Sequence, residues 1–363
     1  MTTMPRDGSP SVGRVDAPWI DGSVHTGVGD DPRVRTVLSA RDRFGSAARR
    51  WAIGRGSYRV APGLYAAGNP SAESPVLVSA NYKMSFDRLR AALHGRDAWI
   101  LVLDTRGINV WCAAGKGTFG TDEIVRRVQD AALDRIVSHR TLIVPQLGAP
   151  GVSAHAVRRS CGFRVAYGPV RVEDLSAFLD AGLKAQPAMR RVRFNLGDRA
   201  VLVPVEIVSG GKYALLVAAG LVLLGGLSLR GYSLDSVRTN GLAGAGMILG
   251  AFLCSAVLGP MLLPWLPGRA FSVKGAVLGI VLIGAVTVAS GVAVSWLHIA
   301  AWAFIVPTIA SFVVMNFTGA STYTSPSGVV REMRFAVPAQ IAGAAIGLGL
   351  WLTGLFVTGG PRI

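Results

Sequence analysis

Residues 98–116 read AWILVLDTRGINVWCAAGK. The first six, Ala98–Leu103, form an apolar run with the length of a buried β-strand, and a polar turn begins directly after it at Asp104. Residues 109–116 therefore follow the carboxyl end of a predicted strand. Ligands bind beyond that end in open parallel sheets, so these eight residues are the first candidate for a functional site.

Strand-like and helix-like segments alternate on both sides of this stretch. Strands are predicted at residues 76–80, 98–103, 141–144 and 163–166, and helices at 86–93, 122–137, 154–160 and 175–179. This alternation predicts a Rossmann-like α/β domain, with a mostly parallel sheet and helices on both faces. Thr121 is the expected N-cap of the second helix, because Asp122 and Glu123 follow it.

The composition does not fit an ordinary soluble protein. The 363 residues include 37 Lys and Arg against 21 Asp and Glu, a net charge of +16, yet only 16% are charged. Soluble domains carry about 25%. Only seven of the basic residues and two of the acidic ones lie at or beyond position 213, so the chain divides into a charged part and an apolar part. A wholly disordered or disulfide-rich protein is excluded.

The apolar part contains five stretches near the length of about 20 residues that crosses a bilayer. These are residues 213–229, 241–266, 275–294, 299–317 and 335–357. They predict an all-α transmembrane bundle. GxxxG steps at Gly246/Gly250, Gly275/Gly279 and Gly343/Gly347 are expected to let helices approach closely. The first residues lack an apolar core of signal-peptide length, so we expect the N-terminal domain to lie in the cytoplasm, on a multi-pass inner-membrane protein.

The domain boundaries follow from these patterns. We predict a flexible N-terminal segment at residues 1–35, an α/β domain at 36–185, a basic connector at 186–212 with a strand-like run at 200–208, and a membrane domain at 213–363. Eight arginines lie within residues 33–59. They form either the solvated face of a short helix, or a surface that attracts anionic lipid headgroups or a cofactor phosphate.

Cys112, Cys161 and Cys254 are too far apart for a CxxC metal or redox motif, so any electron needed must come from another protein. From its surroundings alone, Cys112 is either a small buried apolar residue or a functional thiol. Ala113, Ala114 and Gly115 would allow a flat ligand to approach the backbone.

Residues 109–116, NVWCAAGK, match at every position the motif N-[VI]-W-C-A-[AG]-G-K of the HgcA family of mercury-methylating corrinoid proteins, which the chain resembles. The resemblance continues through 65–70 (YAAGNP), 75–87 (PVLVSANYKMSFD), 146–153 (QLGAPGVS) and 167–171 (YGPVR), and then through the membrane part. The α/β domain also resembles the corrinoid domain in the large subunit of the corrinoid iron-sulfur protein of acetyl-CoA synthesis. That relative also carries a cysteine-rich region for an iron-sulfur cluster and a barrel domain. Neither has a counterpart in this sequence, which counts against a role in acetyl-CoA synthesis.

The resemblance implies a corrinoid bound base-off, with Cys112 as the lower axial ligand of its cobalt and as the catalytic residue. Ser79, where the family usually has Thr, keeps a hydroxyl expected to lie beneath the ring. The other residues that the resemblance assigns to the cofactor are Asn81, Tyr82, Lys83, Asn109, Val110, Trp111, Ala113, Ala114, Gly115, Lys116, Gly148, Ala149, Pro150, Gly151 and Val152. Cys161 and Cys254 are expected to be structural.

The implied function is a corrinoid-dependent methyltransferase that passes a methyl group from methyl-cobalt(III) to inorganic Hg(II) and forms methylmercury. The methyl donor is expected to be linked to methyltetrahydrofolate. The implied partner is a ferredoxin-like protein of the HgcB type with two [4Fe-4S] clusters, and no nucleic acid is expected to bind. Two alternatives stay open: a membrane-anchored corrinoid methyl carrier of one-carbon metabolism with another acceptor, and a scaffold that binds no corrinoid.

Overall fold

The structure, a computed structural model, describes residues 17–290, 295–317 and 326–357. These residues group into two compact units. We call them the α/β unit (residues 17–49 and 53–192) and the helical unit (residues 50–52 and 193–357). The first holds a parallel-strand core and the second holds five long apolar helices, which confirms the predicted fold class.

The α/β unit contains seven strands and seven helices. The strands are β1 (Ile20–Thr26), β2 (Gly29–Val34), β3 (Gly63–Ala67), β4 (Val76–Ala80), β5 (Ala98–Leu103), β6 (Thr141–Val144) and β7 (Arg164–Tyr167). The helices are α1 (Ala40–Arg50), α2 (Lys83–Ala92), α3 (Val110–Gly115), α4 (Thr121–Asp130), α5 (Leu133–Ile136), α6 (Ala154–Cys161) and α7 (Leu175–Asp180). Short 3₁₀ turns occupy Arg55–Ser57, Gln146–Gly151, Val172–Asp174 and Pro187–Arg190.

All seven strands form one sheet in the order β1-β2-β3-β5-β4-β6-β7. Strands β5, β4, β6 and β7 run parallel to one another, and β3 is antiparallel to β5. Successive side chains of a strand point to opposite faces. Val78 of β4 accordingly packs with Ile124 of α4 in one core, and Leu77 packs with Phe86 of α2 in the other. The central strands are thus buried on both faces, as parallel sheets require.

The predicted strands at β4, β5 and β6 have the bounds that the sequence indicated. The predicted helix at 122–137 is instead two helices, α4 and α5, because Ala132 adopts a left-handed φ of 42° between them. The N-cap of α4 is Gly120 and not Thr121. The Thr121 hydroxyl accepts a hydrogen bond from the Ser153 N–H at 2.8 Å, so it joins two loops.

The sequence patterns missed the N-terminal edge of the sheet. Residues 20–34 fall in the segment predicted to be flexible, yet they form the antiparallel hairpin β1–β2. Strand β2 pairs in parallel with β3, which was also not predicted. Of the thirteen residues in these two strands only Val34 is buried, so the hairpin lacks the apolar alternation by which strands are recognised.

The helical unit begins with α8 (Leu196–Ala200) and α9 (Val203–Leu224). The strand-like run predicted at 200–208 is therefore wrong. A short apolar run does not distinguish a strand from a helix, and Pro204 is tolerated in the first turn of α9. The remaining elements are β8 (Leu227–Ser228), β9 (Gly231–Tyr232), α10 (Leu234–Ser236), a π turn (Val237–Gly241), α11 (Leu242–Leu262), α12 (Phe271–Ser290), α13 (Trp296–Asn316) and α14 (Pro326–Val357).

Among the described residues, five helical segments are long and apolar enough to cross a membrane. They are Leu196–Leu224, Leu234–Leu262, Phe271–Ala289, Trp296–Asn316 and Ser327–Val357. The predicted number of spans is confirmed, although several begin earlier than predicted. The predicted end of the third span, residues 291–294, lies outside the described residues.

The three GxxxG steps have different surroundings. A Cβ on Gly279 of α12 would lie 2.4 Å from Pro307 Cα of α13, and one on Gly347 of α14 would lie 2.6 Å from Ile305 Cγ1 of α13. These glycines are therefore at close helix contacts, as predicted. A Cβ on Gly246 or Gly250 of α11 would meet no atom within 4 Å among the described residues, so that step is not at such a contact.

Candidate functional site

Three loops meet at the carboxyl edge of the parallel strands. From β4 the chain passes to β5 on one side of β4, and then crosses to β6 on its other side. This change of direction is a topological switch point, where open α/β sheets bind their ligands. The loops at this edge are residues 81–82 after β4, 104–109 after β5 and 145–152 after β6.

Helix α3 carries Cys112 at this edge. Asn109 is its N-cap, and the Asn109 Oδ1 atom accepts a hydrogen bond from the Cys112 backbone N–H at 2.9 Å. Ala113 and Ala114 are buried against the core, whereas Cys112 is half-buried and Gly115 is exposed. The sequence NVWCAAG thus forms a short capped helix that buries its small residues and leaves its thiol partly accessible.

The sequence neighbours of Cys112 differ in how exposed they are. Val110 and Trp111 are half-buried, and Lys116 is exposed at the end of the helix. Cys112 is a free cysteine, and in the part of the chain that the structure describes its Sγ atom has no hydrogen-bond partner. The thiol is therefore available to bind a ligand.

The 3₁₀ turn Gln146–Gly151 packs directly on α3. A Cβ on Gly151 would lie 2.2 Å from the Phe119 carbonyl oxygen and 3.2 Å from Ala114 Cα. A Cβ on Gly148 would lie 2.4 Å from the ring of Phe119. Only glycine allows this approach. Gly151 therefore lets the loop approach the Cys112 helix at Ala114, and Gly148 lets it approach the ring of Phe119.

The remaining residues of that loop differ in exposure. Val152 is buried, Ala149 is half-buried and Pro150 is exposed. The Tyr167 hydroxyl donates a hydrogen bond of 2.8 Å to the Val152 carbonyl oxygen, which ties the loop to β7. Pro150 is thus the exposed member of this loop, and its neighbours Ala149 and Gly151 are half-buried.

Asn81 fixes the loop that leads into α3. Its side chain is 2% exposed, and its Nδ2 donates to Asp104 Oδ1 at 3.1 Å. Its Oδ1 accepts from the backbone N–H groups of Thr105 at 3.1 Å and Gly107 at 2.9 Å. The Thr105 hydroxyl lies 2.9 Å from the same oxygen. The structure therefore gives Asn81, expected to line a cofactor, the role of bracing the 104–109 loop.

Glu123 at the start of α4 holds the same loop from the other side. Its Oε1 accepts from the Asp104 backbone N–H and from Arg127 Nε, each at 2.8 Å. Burial acts to raise the pKa of Glu123, but the hydrogen bonds from Arg127, Asp104 and Arg126 outweigh it and lower the pKa. Sequence reasoning found Glu123 only as a favourable charge in the first turn and missed this contact.

Lys83 is enclosed in a buried ion cluster of Asp42, Lys83, Asp87 and Arg90. Its Nζ donates to Asp42 Oδ1 at 2.7 Å and to Asp87 Oδ2 at 2.6 Å, and its side chain is almost fully buried. Arg90 Nη2 also pairs with Asp42 at 3.0 Å. The ammonium group predicted to line a cofactor therefore links α1 to α2.

Tyr82 and Ser79 are also buried. Burial raises the pKa of Tyr82 although nearby Arg55 acts to lower it. Ser79 donates a long hydrogen bond of 3.3 Å to the Ala80 carbonyl oxygen. Because side chains alternate along β4 and Val78 and Ala80 face the core that contains Ala113, Ser79 points to the opposite face of the sheet from α3.

Comparison with known proteins relates the α/β unit to subunits of acetyl-CoA synthesis. Residues 54–178 match the family model described as CO dehydrogenase/acetyl-CoA synthase delta subunit. The chain is 30% identical over 123 residues to the acetyl-CoA decarbonylase/synthase complex subunit gamma of Methanopyrus kandleri, which is 33% of this chain and 26% of that protein. The same subunit of Archaeoglobus fulgidus is 27% identical over 124 residues, 34% of this chain and 26% of that protein.

The match to the family model ends at residue 178, before residue 193, where the main part of the helical unit begins. The chain spans about a quarter of the length of these curated relatives. The matched segment contains the Cys112 helix and all three loops of the candidate site. The α/β unit is therefore similar to subunits of acetyl-CoA synthesis complexes, in line with the resemblance noted for this domain.

Proposed function

We propose that this chain is a membrane-anchored, corrinoid-dependent methyltransferase that transfers a methyl group to inorganic Hg(II), with the Cys112 thiolate as the lower axial ligand of cobalt. The observation that carries the proposal is the half-buried, unpartnered thiol on a capped helix at the ligand-binding edge of the sheet. The relation to acetyl-CoA synthesis subunits supports the corrinoid part, and the NVWCAAGK motif supports mercury as the acceptor.

The residues around Cys112 fit a large flat ligand. Gly115 is exposed, and a Cβ on it would meet no described atom within 4 Å, so the surface beside the thiol is open. Thiolates are ligands for soft metal ions and also act as axial ligands of macrocycle-bound metals. The site therefore offers one metal-ligating atom beside small side chains.

The chain's own residues have separable roles in this proposal. Asn109 fixes the start of α3 and so the position of Cys112, while Gly148 and Gly151 hold the helix against its neighbouring turn. Trp111 and Lys116 would contact the cofactor from the accessible side. A bound corrinoid supplies a methyl group on cobalt, and electron donation from the Cys112 thiolate favours its transfer to a soft electrophile.

Transfer of the methyl group to Hg(II) as a carbanion would leave cobalt as Co(III), and remethylation would need Co(I), so the proposal requires an external source of two electrons. In the described part of the chain no group of three or more His, Cys, Asp or Glu side chains is placed to hold a metal. We propose that a ferredoxin-like partner of the HgcB type, with two [4Fe-4S] clusters, supplies the reductant. A methyltetrahydrofolate-linked step is the proposed methyl source.

A second candidate function rests on the comparisons. The relatives named above belong to acetyl-CoA decarbonylase/synthase complexes. Under this alternative the chain carries a corrinoid-bound methyl group to another acceptor of one-carbon metabolism. The two functions share the cofactor and Cys112 and differ only in the acceptor.

The decisive experiment compares the full chain in detergent, loaded with cobalamin, as wild type, Cys112→Ala, Cys112→His and Cys161→Ala. Cys161 is the matched control because it is a second half-buried thiol, whose Sγ donates to the Val157 carbonyl oxygen. Ultraviolet-visible spectra report the cobalt ligand, and methylmercury formed from Hg(II) is measured on the same samples.

We expect a thiolate-type spectrum and methylmercury from wild type and Cys161→Ala. Cys112→Ala should lose both, and Cys112→His should bind the corrinoid with a different spectrum and a lower yield. Equal spectra and yields in wild type and Cys112→Ala would contradict the proposed ligand. Bound corrinoid with turnover only on other methyl acceptors would favour the one-carbon carrier.

A further inference from the structure

Helix α1 buries a charged residue and exposes its aromatic residue, which is the reverse of the usual burial pattern. Its one buried residue is Asp42, which is 8% exposed and lies in the ion cluster with Lys83 and Arg90. Its one aromatic residue, Phe44, is 76% exposed. A surface helix of a soluble domain normally buries its apolar side chains and exposes its charges. The outward face of α1 is therefore suited to a surface other than water.

Large apolar side chains flank the helix on both sides. Val37 precedes α1 and is 63% exposed, and Trp51 and Ile53 follow it at 49% and 64%. Phe44 and Ala47 are three residues apart, so they share one face of the helix, and both are exposed. Exposed large apolar residues concentrated in one short segment indicate an interaction site.

The segment that contains this helix is strongly basic. Residues 33–59 contain eight arginines and one acidic residue, Asp42, whose charge is neutralised within the ion cluster. Arg41 and Arg43 border Phe44 and are exposed, and neither forms an ion pair with another described residue. Apolar and aromatic side chains bordered by arginine are typical of helices that lie in the interface of an anionic membrane.

We propose that α1 and its flanking residues Val37, Phe44 and Ile53 dock on the surface of an anionic bilayer, with Arg41 and Arg43 on lipid phosphates. The occupant is a membrane because five helices of the same chain are long and apolar enough to cross one, which keeps a bilayer tethered to this unit. The positive charge of the surface complements anionic headgroups. This inference is independent of the proposed corrinoid chemistry.

The surface is connected to the candidate site by the chain that follows α1. A Cβ on Gly45 of α1 would lie 2.5 Å from the Tyr58 hydroxyl, so helix and ring are in close contact. The Tyr58 carbonyl oxygen accepts from the Lys83 N–H at 3.0 Å, and Val60 N–H donates to the Asn81 carbonyl oxygen at 3.0 Å. Docking of α1 would thus restrain the carboxyl end of β4, where Asn81 lies.

Hydrogen-deuterium exchange of the full chain in lipid nanodiscs tests this inference. Exchange of the peptides that cover residues 37–53 is compared between phosphatidylglycerol-containing and purely zwitterionic nanodiscs. The variants are Arg41→Glu/Arg43→Glu, Phe44→Ser and the control Arg158→Glu/Arg159→Glu. The control removes the same charge from α6, where both arginines are exposed and the large apolar neighbours are missing from the helix face.

We expect anionic lipid to slow exchange at 37–53 in wild type and in the α6 control. Each arginine near an anionic surface contributes binding free energy. In Arg41→Glu/Arg43→Glu we therefore expect the slowing of exchange by anionic lipid to fall by roughly tenfold or more. Phe44→Ser should weaken it as well, while protection of β4 and β5 shows that each variant is folded. Equal exchange in the two lipids, equal loss in the α6 control, or protection that needs an added protein would overturn the proposal.

Discussion

Asn81 Oδ1 accepts a hydrogen bond from the Gly107 backbone N–H at 2.9 Å, so a buried side chain at the end of β4 holds the loop that leads to Cys112. Gly107 has a φ of 74°, and Arg106 before it has a φ of 58°. Two successive left-handed residues form a sharp turn that needs support from its surroundings. The position of the candidate thiol thus depends on a contact between the loop after β4 and the loop after β5.

Replacing Asn81 with Ala should destabilise the α/β unit. The substitution removes the acceptor of the Thr105 and Gly107 N–H groups at a site that is 2% exposed. Leaving such buried donors unpaired costs about 2–4 kcal/mol. The measurement is thermal unfolding in detergent, with Asn69→Ala as control, because Asn69 is exposed and its Oδ1 accepts a hydrogen bond from the Arg33 side chain. Equal midpoints for the two variants would contradict the bracing role.

A substitution at Gly151 should separate the 3₁₀ turn from α3. In Gly151→Ala the new Cβ would lie 2.2 Å from the Phe119 carbonyl oxygen, so backbone must move. We expect a loss of about 1–3 kcal/mol in unfolding free energy. Gly115→Ala, on the facing helix α3, is the matched control, because a Cβ there meets no described atom within 4 Å. A thermal midpoint in Gly151→Ala as high as in the control would refute the close packing.

The sequence predicted the central strands, but not the tertiary hydrogen bonds that hold the loops of the candidate site. Strands β4, β5 and β6 are buried on both faces, so their apolar runs are recognisable. The resemblance assigned Asn81 and Lys83 to a cofactor, and the structure places both in hydrogen bonds with residues distant in sequence, Gly107 and Asp42 respectively. Such tertiary partners leave no local pattern, which also explains why Glu123 was missed.

The contribution of Glu123 to stability should depend on pH. Its pKa is lowered in the folded protein, so its contribution is present above the usual glutamate value of about 4.3 and is lost as the pH falls through the lowered pKa. Thermal midpoints of wild type and Glu123→Gln should therefore differ near neutral pH and converge on acidification. Glu173→Gln, which alters an exposed carboxylate, should follow wild type throughout. A constant difference across pH would contradict this account.

The two classes of GxxxG glycine should respond differently to the same substitution. In Gly279→Val the new Cβ would lie 2.4 Å from Pro307 Cα and 2.9 Å from the Val306 carbonyl oxygen, so α12 and α13 must move apart. Helices in a membrane associate through close packing because lipid provides no hydrophobic driving force between them. We expect Gly279→Val to cost about 1–3 kcal/mol and to lower the thermal midpoint in detergent. Gly250→Val, in a step of the same pattern, should leave the midpoint near that of wild type because its surroundings are open. Equal losses in both variants would mean that the α12–α13 contact does not distinguish the two glycines.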